Sequence, residues 1–137
     1  MKRLLLTLAC LSLSGCGSIV TSGRLEQSIA PAFTRQYHWQ QQLQGRPTTG
    51  ALDTRARCAR GGSGDTGAGS DWSCTIQYFE TGPQTPVTLT YDVTVHPDGC
   101  WTADNGPVSL GGLNLQTPDG TTVPNPLYAI DACFRVG

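Results

Sequence analysis

Lysine occurs once in these 137 residues, at Lys2, histidine twice, and charged side chains make up only 14% of the chain. That density is well below the roughly 25% of ordinary soluble proteins. Nine basic against ten acidic residues leave a net charge of −1, so no cationic field exists to hold a polyphosphate, and nucleic acid is excluded as a partner. Long hydrophobic runs are also missing: the longest, residues 4–13, has ten residues, about half of what a bilayer-spanning helix needs. The length excludes a large multidomain enzyme. In surplus are 17 glycines and 9 prolines, which break elements often enough to exclude an all-helical bundle. Six cysteines are too many for a reduced cytosolic chain of this size.

Met1, Lys2 and Arg3 make a short positive segment ahead of the apolar run, and the run ends in Leu13-Ser14-Gly15-Cys16. This is the organisation of an export signal, and the four residues resemble the lipobox of bacterial lipoprotein precursors. Small side chains before the cysteine let a signal peptidase grip extended backbone, and the Cys16 thiolate is the nucleophile that takes up a diacylglyceryl group. The resemblance implies cleavage before Cys16, acylation there (palmitate among the chains), and stable anchoring, since each buried methylene adds about 0.8 kcal/mol. Gly17, with no aspartate after the lipidated cysteine, implies sorting to the outer membrane in a host with two membranes. In a host with one, it implies the outer face of the plasma membrane. The expected organisation is a signal peptide over 1–15, a flexible tether over 16–27 and a single domain over 28–137. The mature chain then has seven arginines, ten acids, no lysine and a net charge of −3, which excludes a polybasic lipid-binding patch.

Within the domain, Ser28 as N-cap, Pro31 in the first turn and the spacing of Ile29, Phe33, Tyr37 and Leu43 predict a helix, stopped by Gly45 and Pro47. Gln36 and Gln40 interrupt its apolar stripe, and Trp39 is expected to flank the contact with a sheet. From residue 54 the period becomes two. Ala56 and Cys58 alternate with Arg55 and Arg57; Trp72, Cys74, Ile76 and Tyr78 alternate with polar neighbours; Val87, Leu89, Tyr91, Val93 and Val95 do the same. His96-Pro97-Asp98-Gly99 is a turn signal returning the chain into Cys100 and Trp101. The expected fold class is α+β: one N-terminal helix packed on an antiparallel β-meander, cystatin-like in outline, with a loop-rich C-terminal tail. In that tail 113–116 and 121–123 are candidates to pair across Thr117-Pro118-Asp119-Gly120, and Asn125 with Pro126 to cap a short turn.

Cys10 leaves with the signal and Cys16 is consumed by lipid, so Cys58, Cys74, Cys100 and Cys133 remain, and in an exported chain they are expected as disulfides. Cys58 and Cys74 fall on the core-facing phase of successive strands, which predicts one bridge. Cys100, opposite His96 across a three-residue turn and away from the Val93 and Val95 face, is placed to catch the tail through Cys133.

The chemistry offers no constellation for catalysis. A Cys-His pair lacks a free thiol, and cysteine gaps of 15, 25 and 32 intervening residues lack the close-spaced ligand pairs of a zinc site. No metal and no cofactor is expected. The run Gly61-Gly62-Ser63-Gly64-Asp65 is partly like a calcium-binding nonapeptide and a nucleophile elbow, but fits neither and reads as a flexible hairpin loop. Asp65, Asp71 and Asp98 read as solvated loop carboxylates. Trp72 and Trp101 read as core anchors rather than sugar platforms. Arg55, Arg57 and Arg60 read as a one-sided cationic row, either a protected edge or a surface for an acidic partner.

The Cys58 to Cys74 hairpin, the segment 98–103 and the segment 131–134 resemble small bacterial secreted lipoproteins, over about half of the mature domain. The Gly-Ser loop is similar to a hairpin of secreted β-lactamase-inhibitory proteins. The expectation is a membrane-anchored envelope lipoprotein, not an enzyme, that binds a protein or envelope polymer. The alternative is a secreted inhibitor or envelope hydrolase with its site in the Gly-rich loop or the tail.

Overall fold

The computed structural model describes residues 19–48, 50–62, 64–80 and 85–134; the lipobox, Cys16 and the expected signal peptide lie outside the described residues. Helix α1 (Ser22–Leu43) is followed by strands β1 (Thr54–Arg60), β2 (Gly69–Tyr78), β3 (Val87–Val95) and β4 (Cys100–Asp104). A 3₁₀ turn (Val108–Leu110), the short strands β5 (Asn114–Gln116) and β6 (Thr122–Pro124), and β7 (Ile130–Cys133) complete the chain. The main sheet is antiparallel in the order β1-β2-β3-β4-β7, with β5 and β6 paired separately. One helix on an antiparallel sheet with two disulfides is therefore the fold, as the periodicities predict. β7 adds a fifth strand to the four expected.

Period two sorts the sheet into faces. Trp72, Cys74, Ile76, Tyr78, Leu89, Tyr91, Val93, Val95, Trp101 and Ala103 are buried against α1, while Arg55, Arg57, Thr88, Thr90, Asp92 and Asp104 are exposed on the opposite face. The helix supplies Leu25, Ile29, Ala32, Phe33 and Tyr37 to the same core. Trp72 and Trp101 are core anchors, each at 1% exposure. The Trp101 indole N–H donates to Ser28 Oγ at 2.8 Å, which ties the sheet to the helix.

Three expectations need correction. The helix starts at Ser22, six residues before Ser28. Its N-cap is Thr21, whose hydroxyl accepts from the Arg24 backbone N–H at 3.2 Å, and Val20 is already buried. Part of the expected tether is thus folded, because Leu25 extends the apolar stripe backward and Val20, ahead of the N-cap, is buried in the same core. Pro31 accordingly sits inside the helix rather than in its first turn. An interior proline costs about 3 kcal/mol, offset here by the buried side chains on either side of it. Trp39 is 53% exposed, beside the sheet contact rather than in it. At 100° per residue it lies at the margin of the buried stripe, on the flank that carries Ser28 and Arg35.

The Gly-rich loop is the third case. It is pinned to the segment before α1: the Ser22 N–H donates to Asp65 O (2.9 Å), the Gly67 N–H to Val20 O (3.0 Å), and Thr21 bridges Thr66. Arg60 secures it from the other side, donating from Nε to the Asp71 carboxylate at 2.8 and 3.0 Å and from a guanidinium nitrogen to Thr66 O at 2.6 Å. Arg60 is therefore no member of a row with Arg55 and Arg57. Three residues after Arg57 it has the opposite strand phase, and it is used internally.

Candidate functional site

The cysteines settle where the strands place them. Cys58 faces Cys74 directly in the β1–β2 register, with a disulfide and a Cα–Cα distance of 4.1 Å. Cys100 faces Cys133 in the β4–β7 register, bridged with a Cα–Cα distance of 3.8 Å. The His96 N–H donates to Cys100 O at 2.8 Å and Gly99 takes φ +86°. The three-residue turn thus puts Cys100 on the outer face, where Cys133 is also exposed.

The remaining candidates do not converge. His38 Nδ1 is hydrogen-bonded to Thr48 Oγ1, and Asp71 is committed to Arg60. Asp98 accepts from the Cys100 N–H at 3.0 Å, a turn role. No group of three or more His, Cys, Asp or Glu side chains gathers among the described residues, and none of their helices is long and apolar enough to cross a membrane.

What converges instead is a polar cleft of about 490 Å³ at the C-terminal end of α1. Tyr37, Gln40, Gln41, Gln44 and Arg46 line one side, Tyr78 and Glu80 another, and the 3₁₀ segment Ser109, Leu110 and Gly111 a third. Local rules explain each wall. The helix ends in a Schellman motif, with the Gly45 N–H donating to Gln42 O (3.0 Å) and the Arg46 N–H to Gln41 O (2.8 Å). Gly45 has φ +70°, and an added Cβ would stand 2.7 Å from Pro118 Cγ, so glycine is required twice over. That turn places Arg46 at the mouth. Glu80 keeps the strand phase of Tyr78, two residues on, which brings it beneath the helix.

The floor is a closed amide network. Gln40, 3% exposed, and Asn125, 5% exposed, share it: Gln40 Nε2 donates to Leu110 O (2.6 Å) and to Asn125 Oδ1 (2.9 Å). Asn125 Nδ2 donates to Leu110 O (3.1 Å) and Gly112 O (2.9 Å), and its Oδ1 accepts from the Leu127 N–H (3.0 Å). Every buried amide atom named here has a partner, which is what makes a polar floor stable.

Two tyrosines edge the cleft. Tyr37 Oη donates to Glu80 Oε1 at 3.1 Å. Burial, then the Glu80 charge and this bond, push the Tyr37 phenol up to about 12 against the opposing Arg46 charge. Burial first and Glu80 second raise the Tyr78 phenol still further. Both phenols therefore stay protonated at neutral pH, and the Tyr37 hydroxyl fixes the position of the Glu80 side chain. Their ring faces are not available to a ligand: Phe33 and Tyr37 each lie 5.2 Å, centroid to centroid, from Tyr78, and Tyr78 is 1% exposed.

The residues of this cleft come from positions up to 74 apart in sequence and form no motif. One sign was legible: Gln40 on an apolar helix stripe, where a buried amide demands partners.

The fold and the cleft together define a small, disulfide-bridged α+β domain with a polar recess at one end of its helix. The chain matches no family model, no curated protein and no solved structure, so its function is read from its own residues.

Proposed function

We propose that the chain is an exported envelope lipoprotein, anchored through a lipid on Cys16, whose domain acts by binding a ligand in the cleft at the end of α1. The observation that carries the reading is the run Leu13-Ser14-Gly15-Cys16 after a ten-residue apolar stretch, joined to a domain built on two disulfides. Disulfides persist in oxidising compartments, which is where a lipobox delivers a protein.

Chain length supports an anchor at the opposite end of α1 from the cleft. Only two residues separate Cys16 from Ile19, so the lipid attaches within about 10 Å of the folded domain, at up to ~3.5 Å per residue. The Gly-rich loop then lies on the membrane side. Helix α1, 22 residues long, then carries the chain about 33 Å from that end to the cleft at 1.5 Å per residue.

Replacing Cys16 by serine tests the anchor. The variant is expected as an unprocessed, unlipidated precursor; normal processing with acyl label retained in detergent-phase partitioning would remove the proposal.

A further inference from the structure

The cleft holds two opposite charges that do not neutralise each other. Arg46 forms no salt bridge with any described carboxylate, and the described ion pairs of the chain are Arg55 with Asp53, Arg57 with Glu26 and Arg60 with Asp71. Among the described residues the side chain of Arg46 bonds only the Gln44 amide oxygen, a neutral partner that does not compensate the guanidinium charge at the mouth. Glu80 is held by the Tyr37 hydroxyl, a neutral donor that fixes the carboxylate without cancelling its charge. Both groups line the same recess, and both act on the Tyr37 phenol with opposite sign.

A ligand that satisfies such a site carries its own two charges in the reverse order. Building on the cleft as the binding site, we infer that it takes a zwitterion of the amino-acid or short-peptide class, with the ammonium at Glu80 and the carboxylate at Arg46. The ammonium has acceptors in the Glu80 carboxylate and the phenol oxygen of Tyr37. A guanidinium fork is the matching donor for a carboxylate, and the glutamines at 41 and 44 supply neutral hydrogen-bonding groups between the ends. A neutral sugar fits less well, because stacking needs an open aromatic face and the faces of Tyr37 and Tyr78 are packed against one another and against Phe33. The recess, about 490 Å³, is within the usual size of small-molecule sites.

The test is calorimetric titration of the full chain, purified from membranes in detergent, with four probes: alanyl-alanine, N-acetyl-alanyl-alanine, alanyl-alanine amide and N-acetylglucosamine. The free dipeptide is expected to bind, and each blocked form to bind about tenfold or more weakly, the size of a lost charge-assisted contact. Glu80→Gln is expected to erase the difference between free and N-acetylated dipeptide, and Arg46→Gln the difference between free and amidated. Glutamine at position 80 still accepts from Tyr37, and the blocked probes carry the test without any substitution should a variant not fold. Equal binding of free and blocked dipeptides, or dipeptide binding that neither substitution alters, overturns the inference. Binding of the sugar without the dipeptide overturns the zwitterion and leaves the cleft as the binding site. Binding of none of the four overturns both.

Discussion

Replacing the two disulfides by alanine pairs, one bridge at a time, separates the effect of loop length from that of burial. The Cys58–Cys74 bridge spans 16 residues of sequence and the Cys100–Cys133 bridge 33, so loop-closure entropy alone assigns them about 3 and about 4 kcal/mol. Burial reverses the order. Cys58 and Cys74 are 7% and 0% exposed in the centre of the core, whereas Cys100 is half-buried and Cys133 exposed on the outer face. Truncating two buried side chains adds about 1 kcal/mol each for lost burial and residual cavity, raising the first bridge to about 5 kcal/mol and leaving the second near 4. The two loops are not interleaved, so the costs are expected to be close to additive. Urea unfolding followed by tryptophan fluorescence, with each variant's own m-value used because opening a bridge expands the denatured state, measures both. A larger loss for Cys100→Ala with Cys133→Ala than for Cys58→Ala with Cys74→Ala refutes the reasoning and returns the ranking to loop length.

Arg60→Ala removes the contacts to Asp71 and Thr66 and is expected to destabilise by about 1–2 kcal/mol. Faster amide exchange at Gly67 and Ser22, whose N–H groups bond Val20 and Asp65, is the local sign; unchanged protection there would contradict the pinning of the loop. Asn125→Ala takes the shared acceptor and donors from the cleft floor and leaves Gln40 partly unpaired, for an expected loss of about 2–4 kcal/mol by the same urea assay; a loss below about 1 kcal/mol would show that the network is not closed. Alkaline pH is expected to destabilise the domain through its tyrosines. The Tyr37 phenol is raised from 10.0 to about 12, so its contribution is fully present below pH 10 and lost as pH rises through about 12, at most roughly 3 kcal/mol from this residue. Tyr78 and Tyr91, raised in the same direction by burial, deepen the fall. Stability that is flat from pH 9 to 12.5 would contradict their burial.

The sheet was legible because period-two alternation is a direct image of one wet and one dry face. Val87 to Val95 needed nothing else, and the Cys58–Cys74 pairing followed from it. The helix end was legible through Gly45 and Pro47. Its start was not. Thr21 is a good cap, but Ser28 is one as well, and the deciding facts are the burial of Val20 and Leu25 in the core and the backbone bonds of Val20 and Ser22 to a loop some 45 residues away. β7 was hidden for a similar reason: Ile130–Cys133 is four residues with a single strongly apolar position, and its place beside β4 follows from the Cys100–Cys133 pairing rather than from its own pattern. The cleft was the least legible part. Its walls meet only after the tail folds under the helix, and the one local clue was a glutamine in an apolar stripe.

The central claim is an exported, lipid-anchored and oxidised domain, and an intact mass of the protein purified from its native membrane tests it most directly. The predicted result is a chain that begins at Cys16, carries the added mass of acyl chains, and resists thiol alkylation until reduction, after which four cysteines react. A mass for the unmodified chain from Met1, or four thiols that alkylate without reduction, contradicts it.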